Sequence, residues 1–227
     1  MKRSEINSIM RSAEKFILDS GFALPPFARW TPDEWKTRGP EVREIADHCL
    51  GWDVTDFGSG RFLQCGLFLF TVRNGNHADP TAKTYAEKIM VVEEGQVTPM
   101  HFHWKKTEDI INRGGGKLAI QLYAATRDED LDKAAPVHVS MDGVVHKLKA
   151  GATVELAKGE SITLTPRLYH TFWGVKGRVL VGEVSSVNDD STDNRFHRPA
   201  GRFPAVEEDE PSLHLLVSDY PRYYRRS

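Results

Sequence analysis

His101-Phe102-His103-Trp104-Lys105-Lys106-Thr107-Glu108 is the stretch on which the reading of the fold turns. Two histidines separated by one residue in extended chain point to the same face of a strand, because successive side chains alternate. Such a pair is placed to share one ion. Glu108 follows as a hard oxygen donor, and His170, behind Pro166 in a later strand-and-turn region, brings a third imidazole. Three imidazoles and one carboxylate make a mixed nitrogen and oxygen shell that suits Mn, Fe, Co, Ni or Zn better than Ca or Mg. On an octahedral ion that set leaves positions open, which favours chemistry over a closed structural site. One divalent metal per chain is therefore expected.

Around this stretch the chain breaks into short apolar runs punctuated by Gly, Pro and Asn: 62–72, 85–93, 118–125, 137–145, 152–156, 161–165 and 178–187. Closely spaced strands with turn signals between them predict a mainly β, antiparallel sandwich or barrel. Residues 1–60 read differently. Ile6, Ile9, Met10, Ala13, Phe16 and Ile17 recur at helical spacing, with Ser4 as a candidate N-cap and Gly21 as the stop. Thr31-Pro32-Asp33-Glu34 is a second helix start, 41–50 a third helical segment, and 51–60 is rich in turn residues. The expected organisation is one structural domain: a helical and loop extension over 1–60, the barrel over 61–205 and a C-terminal arm over 206–227. The acidic run Glu207 to Glu210 reads as a solvated loop.

The 227 residues carry 30 basic and 32 acidic side chains, for a net charge of -2, and 40% are hydrophobic. That balance gives no electrostatic footprint for nucleic acid or an anionic membrane, and the expected partner is a small molecule. No run of about 18 apolar residues is present. Cys49 and Cys65 show no paired spacing and read as reduced core thiols, which places the protein in the cytoplasm. Sheet edges and terminal extensions make a homodimer the expected assembly.

Gly95, His101, His103, Glu108 and Gly115 match the first cupin motif in residue type and spacing, so the chain resembles the cupins. Gly159, Pro166 and His170 match the second motif without its glycine between proline and histidine, and one residue short. The fold this implies is a cupin-type, jelly-roll β-barrel with an N-terminal helical extension. Residues 1–7, 85–88, 101–109, 182–190 and 192–194 are similar to the D-lyxose ketol-isomerase family. The resemblance implies a cytoplasmic, manganese-assisted interconversion of D-lyxose with D-xylulose, and of D-mannose with D-fructose.

The residues suit that chemistry. Moving a carbonyl from C1 to C2 requires a base at C2 and stabilisation of an enediolate. Glu183 shares strand parity with Val179 and Val181, which sets an acid on an inward apolar face and makes it the candidate base. Lys88 shares parity with Ala86, Met90 and Val92 and is the second catalytic candidate. Lys106, between two proposed ligands, Trp104 beside them, and Arg222 on the basic, tyrosine-rich end 220–226 are candidates for binding the monosaccharide. The same four metal ligands would also serve an iron-dependent cupin dioxygenase or a non-catalytic sugar-binding cupin. A hydride shift remains open beside proton transfer.

Overall fold

The computed structural model describes residues 1–79 and 81–224. Helix α1 (Arg3–Asp19) buries Ile6, Met10, Ala13 and Ile17 along one face. Each fully buried Ile or Met of that stripe stabilises the packing by roughly 1.5–3 kcal/mol. The helix starts two residues earlier than its capping signal suggested, with Lys2 at the cap. Ser4 lies inside the first turn, and its hydroxyl donates to the Asp209 carboxylate at 2.6 Å. At the other end Gly21 adopts φ +82°, and the Phe22 and Gly21 amides bond the Ile17 and Leu18 carbonyls, closing a Schellman motif. Helix α2 (Pro32–Lys36) begins in a capping box between Thr31 and Glu34, and α3 (Arg43–Asp47) follows.

Twelve strands form one antiparallel sheet: β1 (Gly51–Thr55), β2 (Leu67–Arg73), β3 (Tyr85–Val92), β4 (His101–Phe102), β5 (Glu108–Ala125), β6 (Leu131–Asp132), β7 (Val137–Met141), β8 (Val144–Leu148), β9 (Thr153–Leu156), β10 (Ser161–Leu164), β11 (Leu168–Ser186) and β12 (Arg195–Phe196). The main path runs β1-β2-β3-β11-β5-β10-β7-β8, with β6 and β9 on β5, and β4 joining β11 to β12. This is the mainly β, antiparallel, cupin-type barrel expected. A short helix, α4 (Tyr220–Tyr223), ends the described chain.

Three local expectations give way. The run 51–60 is not all turn: β1 pairs with β2, so the sheet begins at Gly51, ten residues before Arg61. Trp52 and Val54 face α1, and the alternating Asp53 and Thr55, both buried, hide the strand from a hydrophobicity reading. The run 137–145 is a hairpin, turning at Asp142 (φ +48°) and Gly143 (φ +80°), the geometry of a tight primed turn. The run 118–125 is only the end of β5, which extends back through Gly114, Gly115 and Gly116 to Glu108. A Cβ on Gly115, at φ +88°, would meet the Arg178 carbonyl oxygen of β11 at 2.2 Å, so the two long strands approach closely only because that position is glycine.

β2, β3 and β11 are covered on both faces. Leu67, Leu69, Met90, Val92, Val179 and Val181 point into the barrel, while Phe68, Phe70, Ile89, Val91 and Leu180 pack beneath α1. The acidic run is not a free loop: Glu208 pairs with Arg3 at 2.7 Å and Glu210 accepts from Asn7 at 2.6 Å, tying the arm to the start of α1. Arg3 is itself buried and pairs with Asp219 at 3.0 Å. Both cysteines are unpaired, but neither is a core residue. Cys49 is exposed in the turn after α3, at φ +53°, and Cys65 is half-buried. Arg225 and Arg226 of the basic end lie outside the described residues. Among the described residues no helix is long and apolar enough to cross a membrane.

Candidate active site

The barrel's inward face becomes polar at one end. There β4 sets His101 against His170 of β11 in direct register, and His103 follows one residue on. The ligand atoms of the three imidazoles lie within 4.8 Å of one another, so this buried group is able to hold a metal ion. The orientation of the rings supports the fit. Each Nδ1 lies against a main-chain carbonyl: His101 on Pro99 at 2.7 Å, His103 on Asp193 at 2.9 Å and His170 on Leu168 at 3.0 Å. A proton on Nδ1 leaves Nε2 as an unprotonated donor. Burial, with His170 and His103 nearby, holds His101 neutral, well below the usual histidine range.

Pro166 and Arg167 set the turn that delivers His170. Arg167 adopts φ +63°, taking the left-handed conformation where the second cupin motif would carry glycine, and its amide donates to the His103 carbonyl at 2.8 Å. The left-handed geometry survives on an arginine because the chain is bonded on both sides of it.

Glu108 sits beside the imidazoles, with Oε1 3.4 Å from His103 Nε2 and 3.2 Å from His170 Nε2. Burial alone would raise its pKa, but the charge of Lys106 above all holds it well below the usual carboxylate range. Lys106 is no solvated loop residue. It is buried, and its Nζ reaches Glu108 at 2.7 Å, Glu183 at 3.0 Å and Asn188 at 3.2 Å. Burial disfavours its charge, yet Glu108 and Glu183 outweigh that and raise it above the ordinary lysine value.

Glu183 and Lys88 stand directly opposite each other on β11 and β3, both buried and both facing the cavity. Lys88 Nζ donates to Asn188 at 2.6 Å and lies 3.5 Å from Glu183. Lys106 thus commits its three donors to protein acceptors, whereas Lys88 makes one close hydrogen bond and keeps donors in reserve. The apolar wall of the cavity contains Leu67, Leu69, Met90, Phe172 and Phe196.

Two substrate-binding candidates are not brought to this cavity. Trp104 is half-exposed and its indole donates to Glu129 at 2.8 Å, because the chain turns after His103 and sends the next side chain outward. Arg222 is exposed near Glu208, at 3.4 Å, on the α1 side of the sheet. Neither lines the cavity. Four groups beside it are newly prominent. Asp193 accepts from the Lys105 and Lys106 amides, each at 2.9 Å, and seats His103 through its carbonyl. Asp190 lies 3.8 Å from Lys88, and Arg202 pairs with both Asp190 and Asp53 at 2.7 Å. Asp190 and Asp193 lie in the stretches 182–190 and 192–194 that carry the family resemblance; Arg202 and Asp53 sit in stretches whose pattern carries no such signal.

An inward carboxylate flanked by lysines, beside a metal-capable group of three imidazoles in a partly apolar cavity, marks a cupin-fold enzyme of the aldose–ketose isomerase class. A family described as D-lyxose isomerase matches residues 1–220, and the chain belongs to that family. It is 50% identical over 227 residues to the D-lyxose/D-mannose isomerase of Serratia proteamaculans, covering 98% of this chain and 99% of that one. It is 48% identical to the D-lyxose/D-mannose isomerase of Escherichia coli O157:H7, covering 98% and 100%. Among solved structures, the L-ribose isomerase of Cellulomonas parahominis with L-ribose superposes with a TM-score of 0.61 at 16% identity, covering 91% of this chain and 98% of that one. The L-ribose isomerase of Acinetobacter sp. DL28 with L-ribose gives 0.60 at 15% identity over the same shares. At those identities the likeness is one of fold. The oxygenase and the non-catalytic binder give way to the isomerase.

Proposed function

We propose that this isomerase interconverts D-lyxose with D-xylulose, and D-mannose with D-fructose, by proton transfer between C2 and C1, with Glu183 as the base. The observation that carries the reading is Glu183 itself, a buried carboxylate on the cavity wall between two lysines, close to the three imidazoles. His101, His103, His170 and Glu108 would hold one divalent manganese. When bound, such an ion supplies Lewis-acid stabilisation of negative charge on the sugar oxygens.

Glu183 Oε1 removes the proton at C2 and, after partial exchange of its carboxyl proton with solvent, delivers a proton to C1 on the same face, one carboxylate acting first as base and then as acid. Its orientation is set by Lys106 at 3.0 Å and by the Ser185 hydroxyl at 3.2 Å. Asp190 is the poorer base, since Arg202, Lys88 and Lys106 overcome its burial and hold its carboxyl well below the usual range. Lys88, with donors to spare, neutralises charge on the enediolate oxygen. The apolar wall of Phe172 and Phe196 excludes water from that step. The unpaired thiols fit a reducing, cytoplasmic compartment, and a homodimer is the assembly expected of exposed sheet edges.

Metal-stripped protein is expected to form ketose from D-lyxose and D-mannose only after manganese is restored, with C2 deuterium lost at least in part to solvent. Complete retention of that deuterium under all conditions would replace proton transfer by a hydride shift; no ketose with any divalent ion would overturn the substrate assignment.

A further inference from the structure

Arg202 lies at the end of a continuous series of charged contacts. Glu108 touches Lys106, Lys106 touches Glu183, Glu183 faces Lys88, Lys88 faces Asp190, and Asp190 holds Arg202. The proposed metal ligands and base occupy one end of this series; Arg202, which also lines the cavity, occupies the other. Its guanidinium is used unevenly. Nη2 alone serves both Asp53 and Asp190, at 2.7 Å each, whereas Nη1 is buried and has no hydrogen-bond partner among the described residues. A guanidinium carries five fixed N–H donors, and a buried donor left unmade is costly. Two carboxylates are enough to pin one nitrogen, so the orientation of the other is predetermined. What it lacks is an acceptor, and Arg202 lines the cavity in which an oxygen-rich substrate would sit.

We propose that Arg202 is a substrate-positioning and specificity-determining residue, whose Nη1 donates to one hydroxyl of the sugar beyond the two carbons that react. This rests on the sugar-isomerase reading above. A pinned guanidinium is suited to the task because it cannot follow a misplaced hydroxyl, and a site built to bond a hydroxyl discriminates strongly against the analogue that lacks it.

The test compares wild type and Arg202→Lys, which keeps the charge between Asp53 and Asp190 but loses the second nitrogen. Each is assayed with D-mannose and with its 3-, 4-, 5- and 6-deoxy forms. The expected loss in kcat/KM is about 10–100-fold, carried mainly by KM, for a hydrogen bond from a charged donor. It should vanish for one deoxy sugar only, the one whose missing hydroxyl was the partner. An equal loss on every sugar, or none, would overturn the proposal. Should the variant fail to fold, a wild-type crystal soaked with mannitol decides the matter: Nη1 within hydrogen-bond distance of a hydroxyl supports it, and Nη1 still unpartnered beside a bound polyol overturns it. Failure of wild type to isomerise any sugar would instead overturn the substrate assignment, and the soak would still judge Arg202.

Discussion

Glu183 and Lys88 face each other across β11 and β3 on a strip that is otherwise Met90, Val92, Val179 and Val181. That placement was legible in strand parity alone, since a charge sharing parity with valines is either a misassigned face or a site. Arg202 and Asp53 were not legible: one comes from a loop without periodicity, the other from a strand masked by its own polar residues. Trp104 misled because a side chain next to a histidine pair need not share its direction once the chain turns. Replacing Glu183 by Gln keeps shape and removes the base, so kcat should fall about 10²–10⁴-fold with metal content unchanged. Stoichiometric metal analysis beside steady-state kinetics checks this; a variant that loses its metal as well would place Glu183 in the metal site rather than beside it.

At the scale of elements, the three imidazoles are held by chain segments rather than by one motif. β4 is only two residues long and is kept in place by β11 on one side and β12 on the other. The histidine spacing was readable, but the strap that secures it was not, because Asp193 acts across a sequence separation of 90 residues on His103. Asp193→Ala removes the acceptor of two amides and loosens the seat of that ring. Manganese affinity should weaken about 10–100-fold, as for other loss of outer support, and calorimetric titration measures it; unchanged affinity would mean that the backbone carbonyl alone suffices. The long strands β5 and β11 escaped sequence reading because their glycines look like breaks. They depend on Asn112, whose side-chain amide donates to the Gly116 and Leu156 carbonyls and whose oxygen accepts from Gly114. Asn112→Ala should cost roughly 1–3 kcal/mol for each carbonyl left buried and unpaired, read as a lowered denaturation midpoint at unchanged slope.

Across the whole molecule, the preface and the C-terminal arm close over the outer face of the sheet through Arg3. Arg3→Met would leave Asp219 buried without its cation, and destabilisation of roughly 3–5 kcal/mol is expected in thermal or urea unfolding. The pH response has a definite sign. Asp190 is held below its unfolded value by Arg202, Lys88 and Lys106, so its contribution is present above about pH 4 and is lost as pH falls through the depressed folded value. Asp190→Asn should therefore reduce the slope of stability against pH below about pH 4; an unaltered slope would show that the buried cations do not favour that charge. The β architecture was readable from strand spacing. The way the acidic run grips α1 was not, because a run of carboxylates has the same appearance whether it meets water or a buried arginine.

Trp104, excluded from the cavity, acquires a different use from its position. It follows His103 directly, and its indole is fixed by the Glu129 carboxylate at 2.8 Å. The protein consequently carries an optical label one residue from a metal-capable imidazole and outside the lining of the cavity. Trp35 and Trp52 are buried elsewhere and sense other surroundings. Replacing the remaining indoles would leave fluorescence that follows the seating of the histidine segment in solution, without a dye and without occupying the chamber in which the sugar reacts.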